Sequence, residues 1–401
     1  MAVARCRPAR RFPLVSTALI WDAAFMAYRF NPEHPFNPRR LELAVSLMEA
    51  MGLLHDAPIL MPRLASDEEL LAVHTPEYLA AVRRLGEAGS PRMDAARWGL
   101  GTDDNPIFPG MHEATALVVG GTLRAAEMVM TGEVTRAMNI AGGLHHAHSA
   151  QASGFCVYSD LAVAIQWIRQ AYGARVMYID YDAHHGDGVQ GIFYHDADVL
   201  TLSLHESGRF LFPGTGFTDE LGEGAGYGYS LNVPLEPFTE DDSWIALHRE
   251  LLPEIAEAFR PDVIVLQNGC DGHVRDPLTH LRATTRLYEE TPRLVCEIAD
   301  RFCDGRLVAT GGGGYDIWNV VPRAWTLVWA ALSGQEAPDA IPTGWIKRWS
   351  PEAPTPLPTR LRDQEDTFTP VLRRPEIESV NRRMMEELRQ QALPLLQTAP
   401  R

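Results

Sequence analysis

Short apolar runs recur along this chain, separated by longer stretches with apolar positions at helical spacing. Four of the runs are ARVMYID (174–180), DVLTLSL (198–204), PDVIVLQ (261–267) and RLVATG (306–311), and they show little alternation. Such strands are buried on both faces, the condition of a mostly parallel sheet covered by helices. STALIWD (16–22) and TRAMNIA (135–141) also predict strands. Between the strands, NPRRLELAVSLMEAMGLL (37–54) predicts an amphipathic helix with Asn37 as N-cap and Pro38 in the first turn. MHEATALVVGGTLRAAEMVMTG (111–132) predicts a helix with a glycine stop, and LAVAIQWIRQAYG (161–173) one that ends at Gly173. The alternation predicts an α/β three-layer sandwich with a mostly parallel central sheet flanked by helices. No internal repeat interrupts it.

From about Gly334 the pattern changes. Prolines at 338, 342, 351, 354, 356, 358, 370 and 375 predict an irregular wrap. It ends in one helix over 376–393, with Ile377, Val380, Met384, Leu388 and Ala392 on one face. That stripe would dock the helix on the main body. The chain therefore divides into a main domain, 1–335, and a Pro-rich C-terminal extension, 336–401.

Composition excludes some partners. The 401 residues are 46% hydrophobic and 22% charged, ordinary for a globular chain. A formal charge of −16 argues against a nucleic-acid surface, which needs a basic patch. Cys6, Cys156, Cys270, Cys296 and Cys303 are odd in number, scattered and without a CxxC, as expected of reduced thiols in a cytoplasm. Arg5, Arg7, Arg10 and Arg11 precede FPLVSTALIWD in the manner of a signal peptide. The apolar run is broken by Ser16 and Thr17, and no small-residue cleavage site follows, so a first strand is the reading adopted. No uninterrupted apolar run is long enough to cross a bilayer.

Every polar cluster follows a predicted strand. His145 and His146 come after 135–141; Asp180, Asp182, His184 and Asp187 come at and after 174–180; Asp271 comes after 261–267; Gly311 to Gly314 and Tyr315 come after 306–310. Loops at the carboxyl ends of parallel strands share one edge and build the site there. In an extended segment, Asp182 and His184 fall on one side and can hold one ion, while His185 points away. Asp271 can add a third ligand from a neighbouring strand end. One histidine and two carboxylates leave room for water and substrate, as in a catalytic metal site. That donor set admits Zn²⁺ and equally Fe²⁺ or Mn²⁺. His145 and His146 can both reach a pocket from an irregular loop, with Asp180 and Asp187 to orient them. Two His–Asp dyads beside a metal site predict a hydrolase. The four glycines bring Tyr315 to the rim, where its hydroxyl can donate to an oxyanion. His148, His195, His205, His273 and His280 read as ordinary loop residues, with His273 set apart only by its closeness to Asp271.

DDNPIFPG, GGLHHAHSAQASGFCVYSD, YIDYDAHHGDGVQGIFY, TLSLHESGRFLFPGTG, QNGCDGHVRDPL and GGGGYD occur in this order over roughly residues 15–330. In these motifs the chain resembles the histone deacetylase superfamily, which shares its fold with arginases. NPEHPFNPRR and GGGGYDIWNVVPRAWTLVWA most resemble the bacterial acetoin-utilisation branch. The resemblance implies a zinc-dependent enzyme that removes acetyl groups from lysine side chains. It implies Asp182, His184 and Asp271 as metal ligands, His146 with Asp187 as general base, and His145 with Asp180 as the second, more cationic histidine. Tyr315 would bind the carbonyl oxygen, and Asp104 would accept hydrogen bonds from the substrate backbone at the rim. Gly154, Phe155, Phe212 and Gly313 would line a narrow passage with Leu278 at its mouth. Potassium or sodium would bind at Asp180, Asp182, His184 and Ser203, and at a second site of Phe193, Asp196, Val199 and Tyr229. His148 stands where basic residues are common in the eukaryotic enzymes, and Ser159 replaces a frequent Asn. The branch implies acetylated metabolic proteins such as acetyl-CoA synthetase as partners. An acetylpolyamine amidohydrolase is the alternative. An arginase-like enzyme would need more metal ligands, and an inactive binding module would be expected to have lost some of these residues. Oligomeric state is left open.

Overall fold

A computed structural model describes residues 16–89, 93–364 and 366–398. The arginine-rich start and Cys6 lie outside the described residues. Eight strands form one sheet: β1 (Thr17–Ile20), β2 (Ile59–Leu60), β3 (Arg136–Asn139), β4 (Val176–Asp180), β5 (Val199–Glu206), β6 (Ser230–Leu235), β7 (Val263–Gln267) and β8 (Leu307–Thr310). Their spatial order is β2-β1-β3-β8-β7-β4-β5-β6. Every pairing is parallel. All residues of β3, β4, β7 and β8 are buried, which explains why their apolar runs do not alternate.

The flanking helices start and stop for local reasons. Asn37 Oδ1 accepts the Arg39 N–H at 3.0 Å and opens the helix Arg39–Ala50. Ser159 Oγ accepts the Ala162 N–H and caps Asp160–Tyr172, whose end is turned by Gly173 at φ 59°. Met111–Thr131 ends at Gly132, also in the left-handed region. The expected helices and strands stand within a few residues of the stretches that predicted them.

Four differences have physical reasons. β2 is only two residues long, too short to leave a periodic signal. β6 contains Pro234, which reads as a strand breaker but sits here in the last strand of the sheet, where a missing N–H is tolerated. The proline-rich wrap holds a further helix, Thr343–Trp349; the indoles of Trp345 and Trp349 both donate to Ser46 Oγ, at 2.9 and 3.1 Å. The last helix, Arg374–Thr398, buries Ile377, Asn381, Met385, Leu388, Ala392 and Leu396, while Val380 and Met384 are half-buried. The polar Asn381 faces inward because its amide donates to Thr239 Oγ1 and Ser243 Oγ and accepts the Glu236 N–H. This helix packs on the helix Asp241–Phe259 and on β6.

Candidate active site

β3, β8, β7 and β4 are consecutive in the sheet, so the loops after them meet at one edge. Buried Asp160 shapes the first loop. It accepts the N–H groups of Gly143 and Leu144 and the Thr122 hydroxyl. His145 and His146 follow, with ring centroids 4.0 Å apart. His145 Nδ1 lies 2.8 Å from Asp180 Oδ2, and His146 Nδ1 lies 2.7 Å from Asp187 Oδ1. A carboxylate opposite Nδ1 places the proton there and leaves Nε2 of each ring as the titrating atom.

The two rings are tuned in opposite directions. Burial alone would lower His145, but the charges of Asp180 and Asp182 and the Asp180 hydrogen bond override it and raise it to about 9. Burial and the neighbouring positive His145 lower His146 to about 4, against the pull of Asp187. One histidine is thus held cationic and the other neutral across the middle pH range.

Asp182, His184 and Asp271 are all buried and offer donor atoms within 4.8 Å of one another. His184 Nδ1 lies 2.9 Å from Asp271 Oδ2 and 3.2 Å from Asp182 Oδ1. Burial and the Asp182 charge raise the Asp271 carboxyl to about 6, the effect of two buried carboxylates set close together. The carboxylates are also braced: Asp182 Oδ2 accepts from Gln267 Nε2 and from the Gly313 N–H, each at 2.7 Å. Asp271 Oδ1 accepts the Ala183 N–H. Ligand carboxylates fixed by such outer partners fit a divalent ion. His185 turns away to Thr215 Oγ1 and Gln190 Oε1.

Close-packed glycine and aromatic groups adjoin the His146 ring and Tyr315. A Cβ on Gly154 would stand 2.3 Å from the His146 ring and 2.9 Å from Phe212, so only glycine fits. Phe212 meets His146 edge-on at 5.0 Å, and Phe155 meets Tyr315 edge-on at 5.7 Å. Gly313 backs directly onto Asp271 and Asp182, and its contacts brace the ligands. Asp276 accepts the N–H groups of both Leu278 and Tyr315 and so ties the half-buried Leu278 to the glycine-rich loop. Asp104 is exposed; its carbonyl accepts His34 Nε2, and the His34 ring packs on Phe155 at 4.6 Å.

The two expected monovalent-cation sets fall apart in space. Asp180 and Ser203 are register partners beside Asp182 and His184. Val199 pairs with Val176 at the other end of the same strands, with Phe193, Asp196 and Tyr229. There the Phe193 carbonyl accepts the Asp196 N–H and the Tyr229 carbonyl accepts the Thr201 N–H.

For four of the five histidines, the reading as plain loop residues needs correction. His148 Nε2 lies 3.4 Å from Asp187 Oδ2, so Asp187 serves two histidines. His205 is buried between Ser203 Oγ and the Gly216 carbonyl. His273 is buried against Asp363, and His280 pairs with Glu206. His195 is largely exposed, and His280 is exposed as well despite its pairing with Glu206. Gln267, Tyr178 and Arg40 were not singled out from sequence. The Tyr178 hydroxyl donates to Asp180, and Arg40, buried beneath the glycine-rich loop, donates to the Gly314 carbonyl. Tyr178 and Gln267 belong to apolar strand runs and Arg40 is one of two adjacent arginines at a helix start, so none carries a signal of its own.

Comparison with known proteins agrees with the geometry. The family model "Histone deacetylase domain" matches residues 34–332. The chain is 51% identical over 365 residues to "Acetoin utilization protein AcuC" of Bacillus subtilis (strain 168), covering 91% of this chain and 94% of that one. It is 39% identical to the protein of the same name from Staphylococcus xylosus, covering 93% and 97%. Among solved structures, an HDAC homolog from Aquifex aeolicus superposes with a TM-score of 0.82 at 31% identity, covering 92% of this chain and all of that one. An HDAC homolog complexed with SAHA superposes at 0.81, with the same identity. The chain belongs to the histone deacetylase family, as a hydrolase of the AcuC-like kind.

Proposed function

We propose that the protein is a zinc-dependent deacetylase acting on acetylated lysine side chains of proteins. The observation that carries this reading is the pair of oppositely tuned His–Asp dyads beside the three-ligand cluster. A divalent ion held by Asp182, His184 and Asp271 would acidify a water molecule and polarise the acetyl carbonyl. His146 Nε2 takes the proton of the attacking water, with Asp187 holding the opposite ring nitrogen. Cationic His145 stabilises the negative charge that builds up. Tyr315 donates its hydroxyl to the carbonyl oxygen. The C–N bond then breaks, the lysine amine leaves with a proton from the histidine pair, and acetate remains. Gly154, Phe155 and Phe212 give the neutral lysine stem apolar walls. By the branch resemblance, acetylated metabolic proteins such as acetyl-CoA synthetase are the substrate class.

The test is acetate release from an acetyl-lysine peptide and from acetylated putrescine, side by side, with and without a chelator. Chelator-sensitive turnover that favours the peptide is expected. Preference for acetylputrescine would keep the chemistry and replace the substrate; release from neither would overturn the function.

The pH profile follows from the two histidines. Turnover should rise as His146 sheds its proton and fall as His145 loses its own; with no ion in the ligand trio these two steps lie at about 4 and about 9. A cation in the ligand trio lowers both limbs. Asp180→Asn removes the strongest influence that raises His145, so its alkaline limb should move to lower pH. A limb that stays in place would take His145 out of the mechanism.

A further inference from the structure

The C-terminal segment reaches the candidate metal loop. Asp363 is 6% exposed at its side chain, and its two partners Arg323 and His273 are 4% and 0% exposed. Asp363 Oδ1 accepts from Arg323 at 2.8 Å, and Oδ2 accepts from His273 Nε2 at 2.9 Å and from the Thr285 N–H at 3.0 Å. His273 Nδ1 accepts the Arg275 N–H at 3.1 Å, so Nε2 carries the proton that points at Asp363. Phe368, five residues on, packs edge-on against the same ring, and Arg275 lies over Phe368.

His273 organises the turn between two site residues. Its N–H donates to Cys270 O, and its carbonyl accepts the Asp276 N–H at 2.8 Å. Asp271 stands at one end of this turn. Asp276, which holds the Tyr315 N–H, stands at the other. A buried carboxylate is costly to desolvate, and an apolar plug would dock the segment as well. What the carboxylate adds is direction: it fixes one orientation of one ring.

We propose that Asp363 is a positioning residue for the metal-binding loop, acting through His273 on Asp271 and, through Asp276, on Tyr315. The C-terminal segment is then part of the active-site framework as well as a cover for the domain. This rests on the metal reading above.

The experiment compares the full-length parent with Asp363→Ala, His273→Phe and the double variant. Arg362→Ala is the control, since Arg362 pairs with Glu289 and the Ala337 carbonyl and has no link to His273. Zinc affinity is read by competition with a chromophoric chelator, thermal stability by melting, and kcat and KM on the peptide. Asp363→Ala should weaken zinc binding about 10-fold, the lower end for groups that orient ligands, and lower kcat more than KM. His273→Phe keeps the ring volume and should do the same with every residue of the extension unchanged, and the double variant should add little. Arg362→Ala should lower the melting temperature with zinc affinity unchanged. Melting losses in Asp363→Ala and His273→Phe alongside parental zinc affinity and kcat would overturn the proposal. A parent that binds zinc but releases no acetate would overturn the proposed substrate and leave this zinc comparison decisive. A parent that binds no zinc would overturn both.

Discussion

His146→Ala should retain the metal and lose roughly 10²–10⁴-fold in kcat, the usual range for removal of a general base. His146 is within 2.7 Å of Asp187 and its ring faces His184 at 5.9 Å, yet it belongs to no ligand cluster with Asp182 and Asp271. Its low proton affinity, set by burial and by the positive His145 beside it, makes it the neutral member of the pair. Removing it takes away the acceptor for the water proton and leaves the ligand carboxylates with their Gln267 and Gly313 partners. Metal content and kcat must be measured on the same sample. Zinc lost along with turnover would make His146 a ligand and end the assignment of a base.

Tyr315→Phe should lower kcat by about 10²–10³, the range for losing one oxyanion donor, with KM nearly constant. The substitution is small in structural terms. The ring keeps its edge contact with Phe155, and the main-chain N–H stays on Asp276. Burial, then the Asp271 and Asp182 charges, raise the phenol well above its ordinary value, so it is a proton donor throughout the working range. A hydroxyl that acts on charge present only in the transition state shows in kcat. Melting temperature should match the parent. An unchanged rate would remove Tyr315 from the mechanism, and a change in KM alone would make it a substrate-binding group.

The sequence by itself determined more of this protein than its irregular spacing suggests. Strands buried on both faces cannot alternate, so β4, β5, β7 and β8 announced a covered parallel sheet. Polar residues placed straight after such strands announced which edge would carry the chemistry. The Asp182–His184 spacing follows from the period of an extended segment, and Asp180 and Asp187 stand out as carboxylates to spare for the two rings; which serves which is implied only by the family resemblance. None of this needs knowledge of long-range contacts, because periodicity and loop position are local.

The remainder depends on contacts between distant parts of the chain. That β3, β8, β7 and β4 lie side by side is a property of the crossovers, which no single segment encodes. Asn381 reads as an interruption of an apolar stripe; three partners from other segments turn it inward. His148 and His273 read as loop residues because their partners, Asp187 and Asp363, lie 39 and 90 positions away. The opposite tuning of His145 and His146 is likewise invisible in two adjacent letters. It arises because burial removes water from both rings and the surrounding charges then decide the sign, and only the tertiary structure places those charges.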